Sequence, residues 1–253
     1  MPFTIEAACF SHIGKRRSNH EDNFFFDGNC LPEENRGTEV PLFLEQPLTA
    51  GQCLCVFDGM GGENYGETAA FAAAERMKEY VRKPKEFYVS EKTYLIKMVK
   101  QLNAAVVAKA EELLTNRMGT TMAALYFSRR QVYCCNVGDS RAYRLRGEVL
   151  TQLSMDHVSR IALAQGRKAP LTQHLGMDPQ EVLLEPYINK YDLLPEDQYL
   201  ACSDGLTDML EDKDIVEILQ KTGSAKDAAL QLVNAALEHG GKDNITVIIC
   251  RIR

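Results

Sequence analysis

Leu54-Cys55-Val56-Phe57-Asp58-Gly59-Met60-Gly61-Gly62 decides how the chain is read: an apolar run ends in an aspartate, and three glycines follow within four residues. Four apolar residues bounded by glycine punctuation predict a core strand with a carboxylate carried at its tip. The glycines let the backbone turn with positive φ and let a ligand approach closely. The phrase recurs in Tyr199-Leu200-Ala201-Cys202-Ser203-Asp204-Gly205. It is mirrored in Gly240-Gly241-Lys242-Asp243-Asn244-Ile245-Thr246-Val247-Ile248-Ile249, where the aspartate precedes the strand. Alone, each aspartate reads as a turn residue closing a hairpin. Together they gather carboxylates at one edge of a sheet, where they repel one another unless cations neutralise them. Clustered oxygen ligands are what Mg²⁺ and Mn²⁺ select.

The 253 residues, 45% hydrophobic and 25% charged, are enough for a sizeable core. A net charge of −6 with no long basic run argues against a nucleic-acid or anionic-membrane partner and favours cationic ligands. The first residues lack the basic and apolar regions of a signal peptide, and no apolar run approaches the roughly 20 residues that span a bilayer. A cytoplasmic location is therefore expected. Eight cysteines, none in a CxxC pair, lie mostly inside apolar strand-like runs and read as buried thiols in a reducing compartment.

Working outward from 54–62, strands are predicted at 5–10 and 23–26, joined by a polar loop, and a long surface excursion fills 27–52. A helix is predicted over 67–81. A second, capped by Ser90, carries Leu95, Met98, Val99, Leu102, Val106, Ala110 and Leu113 on one face. Strands at 122–127, 131–137, 142–146 and 149–153 read as one antiparallel meander, with Tyr143 and Leu145 buried and Arg144 and Arg146 wet. A short helix at 159–165, strands at 185–190 and 198–203, helices at 212–221 and 224–239 and a strand at 244–250 complete the pattern. No linker divides it. One domain over 1–253 is expected, an α+β fold of two stacked sheets flanked by helices.

Six motifs in order carry a resemblance over nearly the whole chain. They are Gly14-Lys15-Arg16-Arg17-Ser18-Asn19-His20-Glu21-Asp22, Asp58-Gly59-Met60-Gly61-Gly62, Gly119-Thr120-Thr121, Gly138-Asp139-Ser140-Arg141, Ser203-Asp204-Gly205 and Gly241-Lys242-Asp243-Asn244. The set resembles the metal-dependent protein phosphatase family, protein phosphatase type 2C, in its bacterial form. The resemblance implies an αββα sandwich whose inter-sheet cleft holds two tightly bound Mn²⁺ or Mg²⁺ ions, and hydrolysis of phosphoserine and phosphothreonine. It implies that Asp58 bridges both ions, that Glu21 and the Gly59 carbonyl complete one shell and that Asp204 and Asp243 hold the other. It implies as well that Asp22 orients water at that centre, that Arg17 clamps phosphate as a bidentate donor, and that Asp139 helps hold a third, weaker ion. The implied partners are phosphorylated proteins made by a Ser/Thr kinase, with a monomer favoured.

Two features depart from the wider family. Members of the eukaryotic type carry a proton-donating histidine after the Asp-Gly pair, where this chain has Met60; His20 and a water at the centre are the remaining candidates for the acid. The stretch 156–176 is shorter than the flap of many bacterial members, so substrate preference carried there does not transfer. Two rival readings are weighed. Cys135-Asn136-Val137-Gly138-Asp139-Ser140-Arg141 fits the Cys-x₅-Arg loop of cysteine-dependent phosphatases, although Asp139 would repel phosphate. A metal-binding pseudophosphatase acting as a regulatory module is the other, opposed by the intact Arg17, Asp58, Asp204 and Asp243.

Overall fold

The computed structural model describes residues 3–60, 65–82, 90–115, 117–159, 161–162 and 169–253. Period-2 burial builds two sheets in the described residues. The first has the order β3-β1-β12-β11-β8-β9: β3 is Leu42–Pro47, β1 Thr4–His12, β12 Ile245–Ile252, β11 Gln198–Cys202, β8 Arg141–Arg146 and β9 Val149–Gln152. The second has the order β10-β7-β6-β4-β2, from Tyr187–Asp192, Gln131–Val137, Met122–Phe127, Gln52–Met60 and Asp22–Phe25, with the short β5 (Gly119–Thr120) beside β4. Every pairing is antiparallel.

Alternate residues of one strand feed different layers, because successive side chains point to opposite faces. Leu54 and Val56 of β4 and Ile248, Cys250 and Ile252 of β12 meet between the sheets. Cys53, Cys55 and Phe57 pack instead under α1 (Gly66–Val81) and α2 (Glu91–Glu112). On the other side Ile245, Val247 and Ile249 pack under α3 (Asp204–Thr207), α4 (Asp212–Lys221) and α5 (Ala225–Glu238). Helix, sheet, sheet and helix are thus four layers with three apolar interfaces, the αββα sandwich expected. Local caps agree: Ser90 Oγ accepts from Thr93 N at 3.2 Å, and Ser224 Oγ accepts from Asp227 N at 3.0 Å.

The single meander expected over 122–153 does not form. β6 and β7 pair in the second sheet, the chain crosses at 138–140, and β8 and β9 pair in the first. Alternation fixes which face of a strand is buried but not its neighbour, and β8 finds β11 instead of β7. The expected wet face of β8 is also half-buried. Arg144 stacks over the Tyr191 ring at 5.9 Å, and Arg146 donates to both carboxylate oxygens of buried Asp197 at 2.7 and 2.8 Å. Part of the 27–52 excursion is edge strand β3, in register with β1, and the strand expected at 185–190 runs two residues later. Residues 161–162 are helical, whereas the remainder of the helix expected at 159–165, along with Gly61 and Gly62, falls largely outside the described residues. No helix among the described residues is long and apolar enough to cross a membrane.

Candidate functional site

Five carboxylates come together at one end of the two sheets. Asp58 sits near the end of β4, Glu21 precedes β2 and Asp139 follows β7, all from the second sheet; Asp204 follows β11 and Asp243 precedes β12 in the first. All five line one cleft of about 480 Å³, with Arg17, Gly59, Met60, Thr121 and Asn244. Ala169, Pro170 and Leu171 form a further wall, carried on a short stem in which Ser159 N donates to Pro170 O and Thr172 N to His157 O.

Backbone contacts explain why these residues converge. Thr121 N and Thr120 Oγ1 donate to the Asp58 carbonyl at 2.8 and 2.9 Å, and Asp58 N donates to Thr121 Oγ1 at 3.1 Å. Thr121 Oγ1 also meets Ser140 Oγ at 2.6 Å, which ties the Asp139 turn to β4. Asn244 joins the two sheets: its Oδ1 accepts from Glu21 N at 2.7 Å, and its Nδ2 donates to Ile13 O and Asn19 O. At Gly205 a Cβ would stand 1.9 Å from Asn244 O, so only glycine lets α3 bring Asp204 against the Asp243 turn. Thr120, Thr121 and Asn244 lie inside the motifs without a chemical role of their own there, and what marks them in the sequence is a polar residue adjoining an apolar strand.

The electrostatics are those of uncompensated negative charge. Burial first, then Asp204, Asp22, Asp139 and Asp243, push the Asp58 carboxyl well above its ordinary range. Asp204 is pushed up to about 6 by burial and then by Asp139, Asp208 and Asp243. Burial likewise raises Asp139 and Glu21. Arg17 is the one basic side chain among the described residues lining the cleft, and it donates to Asp243 Oδ2 at 2.6 Å. Five carboxylates facing one guanidinium fit hard divalent cations. Among the described residues no three acidic, histidine or cysteine side chains already close into a cage.

Asp22 is not part of that lining. It is buried opposite Asp58 in the β2–β4 register, where its Oδ2 accepts from Ser203 Oγ at 2.8 Å and Thr246 Oγ1 at 2.7 Å. Burial pushes Asp22 up to about 7 while the two hydroxyls pull it down. Since the Thr246 proton points to the carboxylate, Ser11 Oγ, 2.7 Å away, donates to Thr246, and His20 Nε2, at 3.1 Å, donates to Ser11. A directed row of buried donors therefore ends on Asp22. His20 is neutral, its pKa lowered to about 4 by burial, and is absent from the cleft wall. Of the two candidates for the acid, His20 is not placed to supply a proton to the cleft. Thr246→Val keeps the shape but leaves Asp22 and Ser11 each short of a partner. It is expected to cost about 2 kcal/mol in urea unfolding, with Thr246→Ser restoring most of it. Equal midpoints for all three proteins would show that the donor row carries no energy.

The Cys-x₅-Arg reading fails on placement. Cys135 is fully buried in β7, its thiol raised well above the usual range by burial, and Arg141 is held by Asp156 at 2.7 to 3.1 Å. Attack by a thiolate needs an exposed, acidified cysteine.

The model of protein phosphatase 2C matches residues 44–238. The chain is 32% identical over 251 residues to the serine/threonine phosphatase stp of Listeria innocua, covering 93% of this chain and 91% of that protein. Among solved structures, the catalytic domain of the serine/threonine protein phosphatase PstP in complex with two manganese ions superposes with a TM-score of 0.78 at 28% identity, covering 99% of both chains. PppA, a key regulatory component of T6SS in Pseudomonas aeruginosa, gives the same score and identity over 98% of both. A family match over most of the sequence, on the expected sandwich and with the acids in its inter-sheet cleft, has one conclusion: the chain belongs to the protein phosphatase 2C family, in its bacterial form, and is a protein serine/threonine phosphatase.

Proposed function

We propose that this phosphatase hydrolyses phosphoserine and phosphothreonine in proteins at a centre of two divalent cations, Mn²⁺ or Mg²⁺, held in the five-carboxylate cleft. The observation that carries the reading is the surplus of carboxylates over the single guanidinium in that cleft. Asp58 would serve both ions, Glu21 and the Gly59 carbonyl one, and Asp204 and Asp243 the other, with Asp139 and Asp204 available to a third, weaker ion. When bound, such ions supply Lewis acidity toward phosphoryl oxygen and an acidified water for in-line attack.

The chain's own groups do the rest. Arg17, about half exposed and resting on Asp243, turns its planar fork to the phosphate oxygens when substrate enters. Asp22, fixed by Ser203 and Thr246 and buried opposite Asp58, would act on water at the centre from beneath the cleft lining. The Thr120 and Thr121 contacts keep the Asp58 backbone from shifting as charge in the cleft changes. Met60 offers no proton, which leaves water as the acid. Eight free cysteines suit a reducing cytoplasm, and a serine/threonine kinase must supply the phosphoproteins.

The test is a phosphatase assay with Mn²⁺ or Mg²⁺, with and without chelator, against phosphoserine, phosphothreonine and phosphotyrosine peptides. Turnover of the first two, abolished by chelation and untouched in Cys135→Ser, is expected. Turnover that survived chelation would remove the metal centre from the mechanism.

A further inference from the structure

Among the described residues Arg17, Asp243 and Asn244 mark one stretch of the cleft lining. There two loops are tied together by a hydrogen bond from Lys15 N to Gly241 O at 2.7 Å, and they carry Lys15, Arg16, Arg17 and, next to Asp243 in the chain, Lys242. All four basic side chains are exposed. Arg17 pairs with Asp243, whereas Lys15, Arg16 and Lys242 make no ion pair among the described residues. Glu67, in the first turn of α1, accepts from Asn19 Nδ2 at 2.9 Å.

This cluster runs against the chain's net charge of −6 and adjoins in sequence Arg17 and Asp243 of the five-carboxylate cleft. With two divalent ions bound, the ions and the Arg17 guanidinium would offset the five lining carboxylates, and Lys15, Arg16 and Lys242 would stand as unpaired positive charge beside them. We propose that Lys15, Arg16 and Lys242 form a recognition rim for acidic side chains flanking the phosphorylated residue, so that the substrate class is phosphoproteins whose phosphosites lie in acidic sequence. The proposal rests on the phosphatase reading above and adds the sign of the flanks. Exposed charges at a cleft mouth act mainly on encounter and on KM, and salt screens them.

Two phosphothreonine peptides test it, alike except that glutamates flank the phosphosite in one and lysines in the other. At saturating Mn²⁺ and roughly 50 mM salt, kcat/KM is expected to be about tenfold higher for the acidic peptide, narrowing below about twofold near 0.5 M. The Lys15→Glu/Lys242→Glu double variant should reverse the order, and Lys15→Arg/Lys242→Arg should keep it. Equal kcat/KM for the two peptides, or a preference unchanged by charge reversal, would overturn the rim. Fluorescence anisotropy of the same peptides reads binding apart from turnover. A charge preference in binding with no turnover would keep the rim and sink the phosphatase mechanism, and turnover without preference would do the reverse.

Discussion

Asp58→Asn is expected to lower turnover of phosphopeptides roughly a thousandfold or more, since the Lewis-acid contribution at stake is several kcal/mol and each 1.36 kcal/mol is a decade. The substitution is nearly isosteric. The bonds of the Asp58 backbone to Thr120 and Thr121 do not involve the side chain and should persist. What goes is the charge that Asp204, Asp22, Asp139 and Asp243 all face. Calorimetry should therefore show tight Mn²⁺ binding lost. The metal-free variant should instead gain stability, on the order of 1 kcal/mol, because four neighbouring acids no longer repel a fifth. Tight binding retained by the variant would move the centre of the site away from Asp58.

Gly59→Ala is the second large effect, and its cause is steric. A Cβ would lie 2.1 Å from Gly66 O and 2.5 Å from Glu21 O, and since both are backbone atoms no rotamer change relieves the overlap. The start of α1 and the loop carrying Glu21 must part, breaking the hydrogen bond from Gly59 N to Glu21 O. A loss of about 3 kcal/mol in urea unfolding is expected, with weakened Mn²⁺ binding because Glu21 moves. Gly223→Ala, where nothing lies within 4 Å of the added atom, is the control. If the two variants unfolded alike, close packing at Gly59 would not be what fixes Glu21.

Much of this was legible beforehand, for a physical reason. Asp58, Asp204 and Asp243 announce themselves because each ends or begins an apolar run, and the three interfaces follow from alternation in β4 and β12. The helix under Ser90 was readable from its cap and its apolar stripe. Pairing was harder. Nothing local in 138–146 says that β8 leaves one sheet for the other, since its partner β11 lies far along the chain. Depth was harder still. Asp22 follows Glu21 directly, yet one lines the cleft and the other supports it from below, a difference set by Ser203 and Thr246 from distant strands. Thr246 lies within the strand expected at 244–250 and Ser11 just beyond the one expected at 5–10, and only the pairing of β1 with β12 joins them.

The position of β12 has a consequence for how the protein is made. It is the last strand of the sequence and lies inside its sheet, paired on one edge to β1 and on the other to β11. A ribosome adding roughly 5–20 residues per second delivers β12 tens of seconds after β1. Through that interval Ile5, Ala7, Ala8, Cys9 and Phe10, which end up sealed on both faces, have only β3 to pair with. Asp243 and Asn244 emerge just ahead of that strand, so a nascent chain carries four of its five cleft acids without the residue that clamps Glu21. A chain that has not yet made Asp243 and Asn244 lacks part of the proposed centre and is expected to be inactive on phosphoproteins.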